Sequence, residues 1–534
     1  MTSDPRAFFA LDLGAATASA ALIARVGTRW RLLGTMALPA AVGPEPLCRT
    51  LVARTVAADP GLAAAVGIDV VAVERIPSLA VRSHAPVRMA VVAASERGLA
   101  PLAAAATRTG FIVHAVSAEA ADPLEMTRLL LDPSIAAILA GAGDPPGADE
   151  RGAMPEVAAL VAAVAQRRPE LTVVLAGSMT DELPAFGNVA TRPGEVLLGA
   201  AAGSGAERHA LDELLIDMAI PADDARRAAA AGVATLAEVL GRRIEFIEIG
   251  YNAGMRVVAQ PPTGSDEYAV EAAVVTAAAL AHPDPDDAQV DRVLGWYTAP
   301  TDRHRLRDRL RELRIAPWSD AAGEGALVRL AAARAAVARL IEATADLPTA
   351  GPPDVIVASG GAWAVAPGPV VTLALADVLR RTGASQFAYD HARLLAPLGA
   401  VPDPDERRTV IAELADDLLV PLGTVVTPTG LRAGRSAGRL IVHALTGATE
   451  LDLVPGGLEL VDLPPGQTAV AEFRFRDTIR LGTRGRHFAV DVAGGLGGLL
   501  VDLRDVPMRL PERQERRREL LHAWQASMWA GSES

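Results

Sequence analysis

The first part of the chain alternates short apolar runs with longer alanine-rich amphipathic stretches. The apolar runs between Phe8 and about Ala202 are FFALDLG, WRLLGTMAL, VVAVERI, RMAVVAA, GFIVHAV, AAILAGA and TVVLAGS. Short buried strands separated by helices are typical of an α/β domain with a largely parallel sheet. We expect this domain to open with a hairpin.

A helical connection separates this pattern from a second one. The stretch ERHALDELLIDM predicts a helix that Pro221 interrupts, and DDARRAAAAGVATLAEVLG predicts another that Asp223 or Asp224 caps. From Arg243 the strands restart with RIEFIEIG and MRVVAQ, which predict an antiparallel pair, and helices dominate afterwards. The stretch DVIVASGGAWAVAPGP supplies a further buried strand that ends in two glycines.

The last part of the chain changes character again. From about Glu406, short strands punctuated by Gly and Pro predict a small, separate β-rich module, which a helix from Pro511 to about Trp529 closes. Its glycine-rich turns and arginine-covered helix make it a candidate partner-binding element. We therefore predict four parts, which are a first α/β half at 1–202, a helical connection at 203–242, a second α/β half at 243–401 and the β-rich module at 402–534.

Composition excludes several function classes. The net charge of −13 argues against a general nucleic-acid binder. All 51 Lys and Arg residues are Arg, so chemistry that needs a lysine is excluded. Cys48 is the single cysteine, which excludes an internal disulfide and fits a reducing compartment. With no membrane-length apolar run and no signal-peptide pattern at the start, we expect a cytoplasmic protein that does not associate with membranes.

Three junctions between a strand and a turn carry the candidate chemistry. In LDLGAATASAAL, Asp12 and Gly14 end a strand, and in FIEIGYNAGM, Glu248 and Gly250 take the same relative places. Glycine lets backbone N–H groups approach a phosphate, and a nearby carboxylate can hold hydrated Mg²⁺. In VIVASGGAW, the pair Gly360–Gly361 offers bare backbone on which a base or ribose could rest. Each junction alone is more often a structural turn than a nucleotide site.

In this order, the junctions resemble the two phosphate motifs and the adenosine motif of the superfamily that contains actin, acetate and sugar kinases and heat-shock chaperones. That resemblance implies a duplicated, ribonuclease H-like fold whose two similar halves close on a nucleotide. A closer resemblance is to the MutL-type accessory proteins of glutamate mutase, from about Phe9 to Trp524. The further segments that carry it are GAGDPPG at 141–147, FAYDHARLLAPLGAV at 387–401 and GGLGGLLVDLRDVPMRLPERQERRRELLHAW at 494–524.

The resemblance implies an accessory factor, chaperone-like or reactivating, for an adenosylcobalamin-dependent mutase subunit. It implies ATP or ADP with Mg²⁺ as cofactor, with the metal held through water by Asp12 and Glu248. The nucleotide-binding candidates are Asp12, Gly14, Thr17, Glu248, Gly250, Gly360 and Gly361. The chain shows no D-x-H-x-x-G motif, so ligation of cobalamin itself is not expected.

The chain departs from the family pattern where phosphate would be touched. Ala15, Ala16 and Ser19 replace a serine, a threonine and a lysine of the first motif. In the second motif, the replaced positions are Tyr251, Ala253, Gly254 and Met255. Because phosphoryl transfer depends on positioning and charge neutralisation, we expect weak or lost ATP hydrolysis.

Several alternatives stay open at this point. Glu248 could pair with Arg243 or Arg256 instead of serving a site. The protein could also be an active ATPase or kinase of the same fold, or a scaffold that binds no nucleotide. As a divergent accessory factor, it could work beside an intact paralogue.

Overall fold

A computed structural model describes residues 6–187, 195–203, 206–260, 269–276, 285–317, 322–345, 352–364, 366–432, 435–445, 447–504 and 508–528. The chain divides into two compact units. The first contains residues 1–83, 223–272 and 277–534, and the second contains 84–222 with 273–276. The boundary predicted at 202/203 falls inside the second unit.

The first unit opens with a four-stranded sheet. Its strands are β1 (Ala7–Leu13), β2 (Thr17–Val26), β3 (Arg29–Pro39) and β4 (Ser78–Arg82), in the order β3-β2-β1-β4. Strands β1 and β2 form the predicted antiparallel hairpin, and β4 lies parallel to β1. Helices α1 (Pro44–Ala58) and α2 (Pro60–Val66) follow β3 and contribute leucines and valines to the same apolar core.

The second unit is a five-stranded parallel sheet. Its strands are β5 (Arg88–Ala93), β6 (Ile112–Ser117), β7 (Ala137–Gly141), β8 (Thr172–Ala176) and β9 (Val196–Gly199), in the order β6-β5-β7-β8-β9. Its helices are α3 (Glu96–Arg108), α4 (Pro123–Leu131), α5 (Ala148–Arg167) and α6 (Ala206–Ala219). This strand order is typical of a doubly wound sheet. The chain winds in one direction from β5 to β6 and in the opposite direction from β7 onwards, so the switch point lies between β5 and β7.

The first unit also holds an eight-stranded sheet, in the order β12-β11-β10-β13-β14-β15-β21-β18. Its strands are β10 (Ile244–Ile249), β11 (Ala253–Gln260), β12 (Ala269–Thr276), β13 (Val355–Ser359), β14 (Gly383–Tyr389), β15 (Val420–Thr427), β18 (Leu458–Val461) and β21 (Leu499–Asp502). The helices between Ala225 and Leu418 are α7 (Ala225–Leu240), α8 (Asp287–Leu294), α9 (Arg303–Ile315), α10 (Glu324–Ala343), α11 (Gly368–Leu379), α12 (Leu395–Gly399) and α13 (Pro404–Leu418).

The two mixed sheets of the first unit repeat one topology. In each, the opening strand pairs antiparallel with the strand that follows it and parallel with a later strand, so β12-β11-β10-β13 repeats β3-β2-β1-β4. The predicted duplication of α/β halves is therefore confirmed by strand order.

The C-terminal region is β-rich, as predicted, but it is not separate. Strands β16 (Gly438–Ala444), β17 (Gly447–Leu453), β19 (Thr468–Leu481) and β20 (Thr483–Ala493) form their own antiparallel sheet. Strands β15, β18 and β21 instead extend the second half's sheet. The closing helix α14 spans Gln514–Ser527.

A buried ion network also fixes the C-terminal region to α11. Arg504 donates to Asp377 on α11 at 2.7 Å and to Asp502 at 2.8 Å, and Arg334 on α10 donates to Asp377 at 2.8 Å. Removing Asp377 would leave the buried guanidinium group of Arg334 without its carboxylate, which is costly.

Within the described residues, no single helix has the length and hydrophobicity to cross a membrane. Two segments that are joined by a bend, Pro44–Ala58 and Pro60–Arg75, reach the required length and hydrophobicity when they are taken together, by length and composition alone.

Helices α7 and α12 approach each other more closely than side chains allow. A β carbon on Gly232 of α7 would lie 2.1 Å from the carbonyl oxygen of Leu395, and one on Gly399 of α12 would lie 1.8 Å from that of Ala228. Both neighbours are backbone atoms, so neither clash can be relieved by a rotamer change. Glycine is therefore required at both positions.

Substitution of Gly399 by alanine tests this contact. We expect Gly399→Ala to lower the free energy of unfolding by about 3 kcal/mol, because overpacking against rigid backbone is at the upper end of such costs. The measurement is urea unfolding followed by circular dichroism. Gly152→Ala is the control, since a β carbon there meets nothing within 4 Å. Equal stability of the two variants would contradict the close approach.

Candidate nucleotide site

The two predicted acidic residues occupy equivalent positions in the two halves. Asp12 is the next-to-last residue of β1 and lies opposite Ser19 on β2. Glu248 is the next-to-last residue of β10 and lies opposite Met255 on β11. In each hairpin the partner is seven residues further along. The acid of each half therefore stands at the same place in the repeated topology.

The glycines that follow these acids form matching tight turns. A β carbon on Gly14 would lie 2.7 Å from the carbonyl oxygen of Thr17, and one on Gly250 would lie 3.2 Å from that of Ala253. Gly250 also donates its N–H to that Ala253 oxygen at 3.0 Å. Both turns thus keep bare backbone beside an acidic residue.

Arg393 joins the first turn from a distant part of the chain. Its Nη1 donates to Thr17 Oγ1 at 2.7 Å and to Asp12 Oδ2 at 3.3 Å. The residue has a φ of 54°, an unusual backbone conformation for a side chain of this size. A guanidinium group therefore lies among the residues predicted to hold phosphate and metal. The Arg393 side chain is largely buried, with 10% exposure.

Asp390 fixes the turn that presents Arg393. Its carboxylate accepts the N–H groups of Leu394 at 2.8 Å and Leu395 at 3.3 Å, where α12 begins, and the hydroxyl of Ser359 at 3.2 Å. Its carbonyl oxygen accepts the Arg393 N–H at 3.2 Å. Asp390 is 1% exposed, so these bonds form away from water.

The glycine pair after β13 lies in the same region. Gly360 has a φ of 98°, and a β carbon there would lie 2.4 Å from the Ile249 carbonyl oxygen. A β carbon on Gly361 would lie 3.6 Å from Thr17 Oγ1. The fold thus brings together all the predicted site residues, namely Asp12, Gly14, Thr17, Glu248, Gly250, Gly360 and Gly361.

Burial and mutual repulsion raise the pKa values of the acidic residues in this cluster. Burial, and second the charge of Asp12, raise the pKa of Glu248 to about 8, against the effect of Arg393. Burial raises the pKa of Asp390 to about 6, although the two α12 amides and Ser359 lower it. Burial also raises the pKa of Asp12 in spite of Arg393. Glu248 is therefore largely protonated at neutral pH.

Two positions that depart from the pattern of the resembling family, Tyr251 and Met255, have structural uses. The Tyr251 hydroxyl donates to the carbonyl oxygen of Arg314 at the end of α9, and the Arg314 guanidinium lies 5.4 Å from the Tyr251 ring centre. Met255 is buried, with 2% exposure. Arg256 pairs with Glu245 at 2.8 Å, so it is not the partner that the sequence allowed for Glu248.

The glycine-rich loop GAGDPPG (141–147) follows β7 in the second unit. A carboxylate of the protein itself accepts hydrogen bonds from the backbone of this loop. Glu150 on α5 accepts the N–H groups of Gly143 at 3.1 Å and Gly147 at 2.7 Å, and the hydroxyl of Ser95. These bonds, with Ser95 foremost, lower the pKa of Glu150 against the effect of burial. Two backbone donors of this loop, those of Gly143 and Gly147, are therefore already used.

The carboxylates fit a metal ion only in part. Among the residues that the structure describes, no group of three or more His, Cys, Asp or Glu side chains is arranged to hold one. Mg²⁺ usually takes one or two carboxylates and completes its shell with water and phosphate oxygens, so Asp12 could suffice beside a nucleotide. Arg393 contacts one of the two Asp12 carboxylate oxygens, Oδ2.

Sequence reasoning missed Arg393 and Asp390 as site residues. Both lie in FAYDHARLLAPLGAV at 387–401. This segment resembles one of the MutL-type family, but the resemblance assigns no role to its residues. The available signal is the group Asp390, His391 and Arg393, which directly follows a buried strand and precedes an apolar stretch.

No protein-family model matches the chain, and no curated protein matches it. Solved structures do match. The (R)-2-hydroxyglutaryl-CoA dehydratase component A of Acidaminococcus fermentans is 8% identical, with 75% of this chain and 98% of that chain covered and a TM-score of 0.27. An acetone carboxylase in its nucleotide-free form is 11% identical, with 83% and 80% covered and a TM-score of 0.26.

A reductive activator for a corrinoid, iron-sulfur protein is 14% identical, with 78% of this chain and 63% of that chain covered and a TM-score of 0.22. Because each of these TM-scores is below 0.5, the likenesses carry no argument about activity. The description of the two halves rests on their strand order.

The raised pKa of Glu248 predicts a pH-dependent cost to stability. Its folded pKa of about 8 lies above the ordinary value of 4.5, so the folded state binds more protons between those values and stability falls as pH rises through this window. Each unit of pKa shift corresponds to about 1.4 kcal/mol. Glu248→Gln removes the ionisable group, so the variant should not lose stability in this window. We expect the difference in free energy of unfolding, variant minus wild type, to be larger above pH 8 than near pH 5 by at least about 1 kcal/mol.

Urea unfolding of both proteins across this pH range measures the difference. Glu45→Gln is the control, because Glu45 is exposed on α1. Parallel stability profiles for wild type and Glu248→Gln would show that Glu248 ionises freely in the folded protein.

Proposed function

We propose that the protein is a nucleotide-binding accessory factor with little or no ATP hydrolysis, and that it serves an adenosylcobalamin-dependent mutase. The observation that carries the nucleotide part is the contact of Arg393 with both Asp12 and Thr17. This contact supplies a cation to a phosphate motif in which Ser19 stands where the resembling family has a lysine.

Bare backbone and charge both support nucleotide binding at this place. Gly14 and Gly250 begin the two equivalent turns, and Gly361 lies beside Thr17, so phosphate and ribose could meet backbone without side-chain obstruction. A guanidinium group presents paired N–H donors that suit phosphate oxygens. In the proposed bound state, Arg393 exchanges Asp12 for a phosphate, which frees the Asp12 carboxylate for hydrated Mg²⁺.

The chemistry of the second turn argues against rapid hydrolysis. With a pKa of about 8, Glu248 is mainly neutral at pH 7, and in that form it contributes no negative charge with which to hold Mg²⁺. Met255, opposite Glu248, offers no polar group in place of the family's aspartate. Loss of preorganised charge at such a site typically costs a few kcal/mol of transition-state stabilisation for each contact. We therefore favour binding without appreciable turnover over an active ATPase or kinase.

The mutase partner rests on the resemblance to the MutL-type family between Phe9 and Trp524. A protein that binds nucleotide without using it rapidly is suited to a binding-controlled task, such as holding or releasing a partner. An intact paralogue could supply hydrolysis where the task requires it. A scaffold that binds no nucleotide is the remaining alternative.

The role of Arg393 is tested by titrating magnesium-ATP and magnesium-ADP into wild type, Arg393→Gln and Arg393→Lys in a calorimeter. Hydrogen bonds to charged groups contribute about 1.5–3 kcal/mol, so we expect Arg393→Gln to bind roughly 10- to 100-fold more weakly. Arg393→Lys keeps the charge without the paired donors and should fall between the two. Arg54→Gln, at an exposed position of α1, should bind as the wild type does.

Three outcomes contradict parts of the proposal. Unchanged or tighter binding by Arg393→Gln would mean that Arg393 obstructs the site. A flat wild-type titration would favour the scaffold. Robust phosphate release that Asp12→Ala abolishes would identify a working ATPase.

The partner is tested by gel filtration of a purified adenosylcobalamin-dependent mutase, run alone and mixed with this protein. Each sample is run in the presence and in the absence of magnesium-ATP. We expect co-elution that depends on nucleotide. Independent elution under every condition would remove the mutase partner while leaving the nucleotide site to be judged by calorimetry.

A further inference from the structure

A cavity lined by arginines lies at the opposite end of the second half's sheet from the candidate nucleotide site. Its volume is about 340 Å³. The lining residues come from the beginning of β10, from β11, from the segment before β13, from the end of α11 and from the β19–β20 hairpin. The charged ones are Arg243, Glu245, Arg256, Arg380, Arg381 and Arg480.

A neighbouring cavity of about 540 Å³ shares Arg480 and Gly482 and adds Arg484 to the basic lining. The two cavities together form one basic recess, which has no lining residue in common with the candidate nucleotide site.

Positive charge in this recess exceeds the negative charge that could balance it. Glu245 is the only acidic lining residue of the first cavity, and it already accepts from Arg256 at 2.8 Å and from Arg381 at 3.0 Å. Arg380 is paired with Asp502, which lies outside the lining. Among the residues that the structure describes, the guanidinium groups of Arg243 and Arg480 form no ion pair, although the backbone N–H of Arg243 donates to the Asp354 carboxylate at 2.9 Å. In a protein of net charge −13, such a local excess is unusual.

Arg243 also carries an unsatisfied donor. Its Nη1 donates to the Pro352 carbonyl oxygen at 2.9 Å, which holds the side chain in place. Its Nε is buried and finds no hydrogen-bond acceptor in the described part of the chain. Buried donors of this kind are rare in folded proteins because an unmade hydrogen bond costs about 1–3 kcal/mol.

The arrangement of the guanidinium groups suits phosphate better than a carboxylate. Arg243, Arg381 and Arg480 come from different elements around one volume. A phosphate group has oxygens in a tetrahedral arrangement and about two negative charges, so it can accept from several sides at once. A carboxylate is planar and carries a single charge.

We propose that this arginine-lined recess binds the phosphate group of a small molecule, at a site distinct from the candidate nucleotide site. The same strands, β10 and β13, begin at the recess and end at Glu248 and Ser359. A bound phosphate would neutralise positive charge of Arg243 and Arg480, which both line the recess.

The proposal is tested by calorimetric titration of inorganic phosphate and of glycerol 2-phosphate into the full chain at constant ionic strength. We expect saturable binding by wild type that weakens at least tenfold in Arg480→Gln and in Arg243→Gln. Arg480 is exposed and its side chain holds no other part of the fold among the described residues, so its variant remains informative if Arg243→Gln is unstable. Arg54→Gln, at an exposed position of α1, is the control and should bind as wild type does, whereas Arg393→Gln reports separately on any phosphate held at the nucleotide site.

The outcomes separate this site from the nucleotide site. Loss of phosphate binding in Arg393→Gln with no loss in Arg480→Gln would place the phosphate at the nucleotide site and overturn the proposal. No saturable binding by wild type, or equal weakening in Arg54→Gln, would overturn it as well. Where the proposal holds, tighter binding of glycerol 2-phosphate identifies an organic phosphate as ligand, and equal binding identifies free phosphate.

Discussion

The close approach of helices α7 and α12 determines where the chemistry of this protein lies. Gly232 and Gly399 allow the two backbones to meet without side chains between them. Helix α12 begins directly after Arg393, and Asp390 accepts its first N–H groups, so the position of the helix fixes the turn that carries the guanidinium. Arg393 can reach Asp12 and Thr17 because this turn is held against the first half. A packing constraint thus sets the electrostatics of the candidate site.

The parts of the site that depend on local sequence were predictable. An acid and a glycine that follow a buried strand are visible in the chain, and Asp12 and Glu248 do occupy equivalent places. Arg393 was not predictable in this way, because its contact with Thr17 joins residues 376 positions apart. The division of the first α/β pattern into two units was also hidden, since alternating strands and helices look the same whether they build one sheet or two.

Arginine has to perform every cationic task in this chain, and its planar group is used in several ways. Arg504 lies 4.5 Å from the ring centre of Trp524 while it pairs with two buried carboxylates, and Arg226 pairs with the fully buried Asp224. Such pairs are demanding, because each leaves a costly charge if its partner is removed.

The pairing of β15 with β21 has a consequence for synthesis. Residues Thr424 to Val426 lie parallel to Leu499 to Val501, so one edge of β15 has no partner until more than seventy further residues have been translated. An unpaired strand edge is a template for association with other chains. During that interval the nascent protein is exposed to aggregation, and ribosome-associated chaperones that shield strand edges would have their greatest effect on its yield.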